Sequence, residues 1–267
     1  MAAVNSGGMG ELELVIRNGA GPVGSRALTG LVELAEAAVG RLHELKHRIH
    51  ATGPAAMLSK IRGTGRGVSF TRLVGELERA HPLTLEYPFE GSDRVGGAVW
   101  IARDVVGGNS TTSVAKLCLD SRATDLPMHV HDHSDRFIIV LKGRGYFHVT
   151  DEHPEEFTGQ QVRSIPARER DVFVFSRGTV HTFSTDAEPM ALLSCQLPFM
   201  KFDDPRQYRL PRVRWTAKEH PDSYPAGIAC DPGWSVLALP RPCHPVRDDG
   251  GAAKGGIALH DVLTLGL

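Results

Sequence analysis

Three histidines alternate in Leu126-Pro-Met-His129-Val-His131-Asp-His133. On an extended strand residues two apart share a face, so all three imidazoles are placed to point the same way. Neutral imidazole is the commonest side-chain ligand for divalent transition metals. A further candidate, His181, closes the stretch Asp171-Val-Phe-Val-Phe-Ser-Arg-Gly-Thr-Val-His181. If the two stretches lie side by side, His129, His131 and His181 supply three nitrogens and leave positions on a divalent ion for water or substrate. Such an open site suits chemistry or ligand sensing, whereas structural zinc is closed by four ligands. Arg136 follows closely and cannot bind a metal, because its guanidinium has no lone pair to give. It can clamp a carboxylate or enolate through paired hydrogen bonds, which makes it the candidate catalytic residue. Its neighbour Asp135 is turned to the opposite face by strand alternation. His133 is a further ligand candidate on the same alternation and His148 a candidate inward partner of the site, but for either alone a surface histidine or a hydrogen-bonded polar residue is the commoner role.

The elements that must position these residues are strands. An apolar run, Phe137 to Leu141, stops at the glycine turn Gly143-Arg-Gly145. Ala98 to Arg103, Thr111 to Leu119, His129 to Val140, Tyr146 to Thr150, Val172 to Ser176, His181 to Ser184 and Ala191 to Leu197 are short, rich in β-branched and aromatic residues, and bounded by Gly, Asp or Pro. An all-β barrel or sandwich fits that spacing. The charged segment Asp151 to Arg170 is expected to be a long loop joining two hairpins. Upstream the period is helical. From Ser25 to His50, Leu28, Ala35, Leu42 and Ile49 recur every seven residues with Leu31, Ala38 and Leu45 interleaved. This apolar seam either packs on its own domain or pairs with a partner chain. His43, His47 and His50 on that helix have no acidic partner and fit a solvated face. A short helical piece around Ala55 to Ile61 and a second amphipathic helix, Ser69 to Ala80, are expected on either side of Gly63-Thr-Gly-Arg-Gly67. Those glycines lack the preceding strand and following Lys-Ser/Thr of a phosphate cradle. Glu11 to Ile16 alternates like a short strand within a Gly-rich terminus.

The chain of 267 residues is 41% hydrophobic and 23% charged, enough apolar material for a substantial core. A formal net charge of −1 gives no global electrostatic case for nucleic acid or an anionic membrane. The long glycine-rich turn between the expected helices, and Glu76 and Glu78 beside Arg72 and Arg79, also speak against a helix-turn-helix. Cys118, Cys195, Cys230 and Cys243 form no C-x2-C pair, and Cys118 and Cys195 fit small buried hydrophobes. A reducing cytoplasm is therefore expected, with no membrane span and no secretory leader.

The histidine stretches resemble the two motifs of the cupin superfamily. His129-x-His131, four residues, Arg136, six residues and Gly143 have the spacing of the first. Asp171 to Thr185 is similar to the second, Gly-x5-Pro-x-Gly-x2-His-x3-Asn, with Gly178 and His181 in place. The resemblance covers roughly residues 98 to 197 and implies His129, His131 and His181 as metal ligands. Arg136 stands at the usual acidic ligand, Arg170 at the opening Gly, Ser176 at the Pro and Thr185 at the Asn. Thiol and diketone dioxygenases of the superfamily look like three-histidine sites without the acid. The expected architecture is mainly β, a single jelly-roll β-barrel (83–200) after a terminus (1–24) and a helical segment (25–82), with an irregular extension (201–267). The resemblance implies a metal-binding protein, with a three-histidine Fe(II) dioxygenase acting on a small anionic molecule as the leading reading and Mn, Zn or Ni as other metals. A non-catalytic sensing module and a metal-independent isomerase or epimerase are the alternatives, and a homodimer is expected.

Overall fold

A computed structural model describes residues 11–13, 23–48, 50–62, 75, 83–85, 95–101, 113–198, 200, 204–220 and 236–238. Among the described residues, helix α1 (Val23–Arg48) accompanies eleven strands: β1 (Glu11–Glu13), β2 (Ala56–Arg62), β3 (Leu83–Leu85), β4 (Val95–Ile101), β5 (Ser113–Leu119), β6 (Asp135–Val149), β7 (Arg163–Arg168), β8 (Asp171–Phe175), β9 (His181–Ser184), β10 (Met190–Leu197) and β11 (Val236–Ala238). The order is β1-β2-β8-β6-β10-β5-β4-β3, with β11 on β2 and both β7 and β9 on β6. Pairing is antiparallel except between β1 and β2. The sheet does not close into a ring among the described residues, so the architecture is an open jelly-roll.

β6 organises the sheet. Its first half pairs with β8 and β10. Its second half pairs with β7 and β9. The register against β10 shifts just before Gly143: Ala191 pairs with Lys142 and Leu192 with Val140, which leaves Leu141 as the bulged residue. Gly143 has φ +79°, and a Cβ there would sit 2.0 Å from the Pro189 carbonyl oxygen. Only glycine fits both requirements. The expected turn at Gly143-Arg-Gly145 therefore lies inside one continuous strand, just after a bulge, and is not a chain reversal.

Strand alternation sorts the apolar side chains into two cores. Phe137, Ile139 and Leu141 of β6, Val172 and Val174 of β8, and Leu193 and Cys195 of β10 face α1. Ile138 and Val140, Phe173 and Phe175, and Leu192 face the interior. The seven-residue seam of α1 is consumed by the first core: Leu31, Ala35, Ala38 and Leu42 are completely buried against the chain's own sheet. Each buried leucine contributes roughly 1.5–3 kcal/mol by leaving water. Over these described side chains the seam thus packs on its own domain. Lys46, His47 and Arg48 occupy the last turn, where positive charge complements the helix dipole.

Three further expectations change. Ala56–Arg62 is a strand, not a helical piece, because Met57 and Ile61 face α1 while Ala56 and Leu58 face the interior. The segment 151–170 is not a plain loop: it holds a 3-10 turn at Pro154–Glu156 and the strand β7. Cys118 is exposed, whereas Cys195 is buried as expected. Glu11–Glu13 is a strand, as the alternation suggested. The expected helix at 69–80 lies outside the described residues apart from Gly75, and Gly63–Gly67, Cys230 and Cys243 also lie outside them. No described helix is long and apolar enough to cross a membrane.

Candidate metal centre and anion pocket

His129 does not belong to a long strand with Val140. It forms an isolated antiparallel bridge with His181, in which each main-chain N–H donates to the other's carbonyl at 3.0 Å. Residues directly opposite in such a pair project to the same face, which places the two imidazole centroids 4.6 Å apart. One pleat further along, the His131 ring lies 5.1 Å from His129 and 5.3 Å from His181. The intervening Val130 turns the other way into a small core with Met128, Phe157 and Trp215. Alternation holds as far as His131 and then ends, because the chain bends through residues 132–133 before β6 begins. His133 is consequently exposed and outside the cluster. His148 also lies elsewhere, on the face of β6 opposite Phe147, held by Ser164 (2.8 Å) and Ser184 (2.7 Å) near Trp215.

The three clustered histidines are 2%, 7% and 1% exposed for His129, His131 and His181. Each turns Nδ1 to a main-chain carbonyl: His129 to Pro127 (3.0 Å), His131 to Gln207 (2.6 Å) and His181 to Thr179 (2.9 Å). A proton held on Nδ1 leaves the lone pair on Nε2, the usual way a protein prepares imidazole for a metal. Their potential ligand atoms all lie within 4.8 Å of one another. Burial pushes the His129 imidazolium down to about 4, with the charge of Arg136 acting in the same direction and the Pro127 carbonyl against it. Burial and neighbouring positive charge hold His131 and His181 well below the ordinary value. All three are neutral at neutral pH, as metal ligation requires. The residues present fit a divalent ion.

Arg136 faces this cluster and Asp135 faces away, as alternation on β6 demands. Asp135 accepts hydrogen bonds from His43 of α1 (3.0 Å) and from the Arg177 main-chain N–H (2.8 Å). His43 is thus not merely a solvated helix residue. Arg136 is 3% exposed and is paired with no carboxylate among the described residues. Its Nη2 lies 3.0 Å from the Gln207 side-chain oxygen, while its Nε is buried without a hydrogen-bond partner. Burial pushes its pKa down to about 9, so it remains a cation at neutral pH. Nη2 also lies 2.7 Å from His131 Nδ1. That nitrogen cannot donate to the Gln207 carbonyl and accept from the guanidinium at once. In the tautomer that suits a metal it donates, and the guanidinium is left to find another acceptor.

Sequence reasoning did not find Gln196, Gln207 and Tyr208, which line the cavity with the histidines and Arg136. Gln207 ties the site together, because its side-chain amide also donates to Gln196 (3.1 Å) and to the Met200 carbonyl (2.9 Å). It belongs to residues 204–220, read from sequence as an irregular extension. Gln196 could have been found by counting back in twos along β10, but no motif marks Gln207. The motif departures are absorbed locally. Arg170 takes the left-handed φ of +76° at the position of the family's glycine. Ser176 Oγ accepts from the Ala55 main-chain N–H at 2.9 Å, and Thr185 Oγ1 from that of Ala123 at 2.9 Å.

Residues 116–195 match the family model for the cupin domain. No curated protein matches the chain. Among solved structures, an oxalate decarboxylase from Bacillus subtilis is 14% identical with a TM-score of 0.31, over 45% of this chain and 28% of that one. A sugar phosphate isomerase from Silicibacter pomeroyi is 18% identical with a TM-score of 0.33, over 45% and 72%. The polyketide cyclase RemF from Streptomyces resistomycificus is 17% identical with a TM-score of 0.35, over 48% and 89%. The chain thus spans little more than a quarter of the decarboxylase.

Proposed function

We propose that this cupin domain is a metal-dependent ligand site, in which His129, His131 and His181 hold one divalent ion and Arg136 binds the anionic group of a small organic substrate. Fe(II) and a dioxygenase reaction are our leading assignment, with Mn, Zn or Ni as the other metals. The observation that supports it is the convergence of three buried, neutral imidazoles whose ligand atoms lie within 4.8 Å of one another. Bound there, a divalent ion supplies Lewis acidity toward a substrate oxygen, and Fe(II) supplies electrons as well.

The chain's own residues bind and orient. The carbonyls of Pro127, Gln207 and Thr179 fix the imidazole rings. Arg136 offers donors to a carboxylate or enolate, and a buried guanidinium with an orphaned Nε has much to gain from one. The Gln207 side-chain oxygen accepts from the guanidinium at 3.0 Å, while the Gln207 main-chain carbonyl accepts from His131. Metal analysis of protein purified without a chelating tag, beside the His131→Ala variant, tests the reading. About one metal per chain, lost in the variant, supports it and justifies a search for oxygen consumption with organic acids. Failure to take up any of the four metals would overturn it.

A second reading, ligand sensing without turnover, is favoured by the bond between His43 and Asp135. Asp135 grips α1 and the next residue, Arg136, faces the pocket, so a ligand that moves one strand position acts on both. Ligand-dependent change in oligomeric state or partner affinity, with no product formed, would support this reading over the enzyme.

A further inference from the structure

The interior of the sheet is graded along its length. On β6 and β10 the inward residues are paired rung by rung: Arg136 with Gln196, Ile138 with Ser194, Val140 with Leu192. β5 continues the lower rungs, with Ala115 opposite Ser194 and Leu117 opposite Leu192. Successive rungs are two residues apart, about 6.6 Å. Polarity therefore falls from a charged rung at the histidines, through one hydroxyl, to a rung of aliphatic side chains only. The same cavity takes in the histidines, Arg136, Leu117 and Leu192, and Arg136 is the only Asp, Glu, Lys or Arg side chain lining it among the described residues.

A ligand that answers Arg136 places one negative charge at the upper rung. Whatever extends below passes the Ser194 hydroxyl and then meets no donor or cation among the described residues, so a second charge at the lowest rung would be buried unpaired, at high cost. Resting on the reading of this pocket as an anion site beside the histidines, we propose that its ligand is a monocarboxylic acid with an apolar tail. The carboxylate accepts from Arg136, and the aliphatic or aryl tail runs down against the paired side chains of Leu117 and Leu192. Short polar diacids lack the tail, and long diacids place a charge among the leucines.

Calorimetric titration of the full-length protein loaded with Zn(II), a redox-silent ion, tests this with butanoate, pentanoate, hexanoate, hexanamide and adipate. Affinity should rise about fourfold for each added methylene. Hexanamide should bind at least about tenfold more weakly than hexanoate, because a charge-assisted bond is lost. Adipate should bind no better than butanoate. In the Leu192→Phe variant the gain from butanoate to hexanoate should vanish, while wild-type titrations stand on their own if that variant does not fold. Equal affinity for acids of every length, equal affinity for hexanoate and adipate, or no binding of any acid to metal-loaded protein would overturn the proposal. Equal binding of hexanoate and hexanamide would overturn its carboxylate. If the protein takes up no metal but keeps the dependence on tail length, the metal reading falls and the monocarboxylate stands.

Discussion

Arg136 occupies the position at which the family motif expects an acidic metal ligand, and the substitution changes what the pocket can hold. A carboxylate there would add a fourth metal ligand and lower the site's charge. A guanidinium adds a positive charge beside a dication, which is unfavourable unless an anion lies near both. Arg136→Gln should therefore move two affinities in opposite directions. Metal binding in the absence of acid should tighten, and binding of an organic acid to the metal-loaded protein should weaken by about tenfold or more. Parallel metal and acid titrations would show it. His148 gives a prediction of a different kind. Burial pushes it down to about 3 from the ordinary 6.5, so the folded protein keeps it neutral while the unfolded chain takes up a proton. Stability attached to it is complete above 6.5 and is lost as the pH falls toward 3. Denaturant melts across that range should show a shallower loss in His148→Gln than in the wild type.

At the scale of elements, α1 and β6 carry most of the constraint. The helix covers one face of β6, β8 and β10 while the pocket occupies the other, so β6 is buried on both sides. Leu42 is completely buried in that contact. Leu42→Ala should cost about 2–5 kcal/mol of unfolding free energy, measured in denaturant. Gly143 is under a sharper demand, because left-handed backbone and the Pro189 carbonyl coincide there. Gly143→Ala should cost about 1–3 kcal/mol from the backbone conformation alone, and the close carbonyl adds to it.

For the molecule as a whole, the site is assembled from chain segments that are distant in sequence. His129 and His131 precede β6, His181 begins β9, and Gln207 arrives from the far side of β10. A ligand that joins such segments binds the folded state and not the unfolded one, so it raises stability by mass action. Thermal unfolding should shift upward with added Fe(II) or Zn(II), and the shift should be absent in His131→Ala. A shift of equal size in both would place the metal elsewhere on the surface.

Types and spacing in the sequence were enough for the fold class, the two histidine motifs, the opposed directions of Asp135 and Arg136, and the long helix α1. These are local quantities, set by the two-residue period of a strand and the turn of a helix. The same period misled where the backbone departed from it. His133 shares the alternation of His129 and His131, but the bend before β6 breaks it and leaves His133 as an exposed histidine, the commoner expectation. The glycine pair Gly143 and Gly145 carries a turn signal, but pairing with β10 and β7 keeps it inside one strand. Ala56–Arg62 was read as helical, and its pairing with β8 makes it a strand. Only tertiary structure could put His181 opposite His129, bring Gln207 behind His131, or bury Arg136 beside the three histidines. Each depends on which segments meet across the sheet, and no residue's own neighbours in sequence encode that meeting.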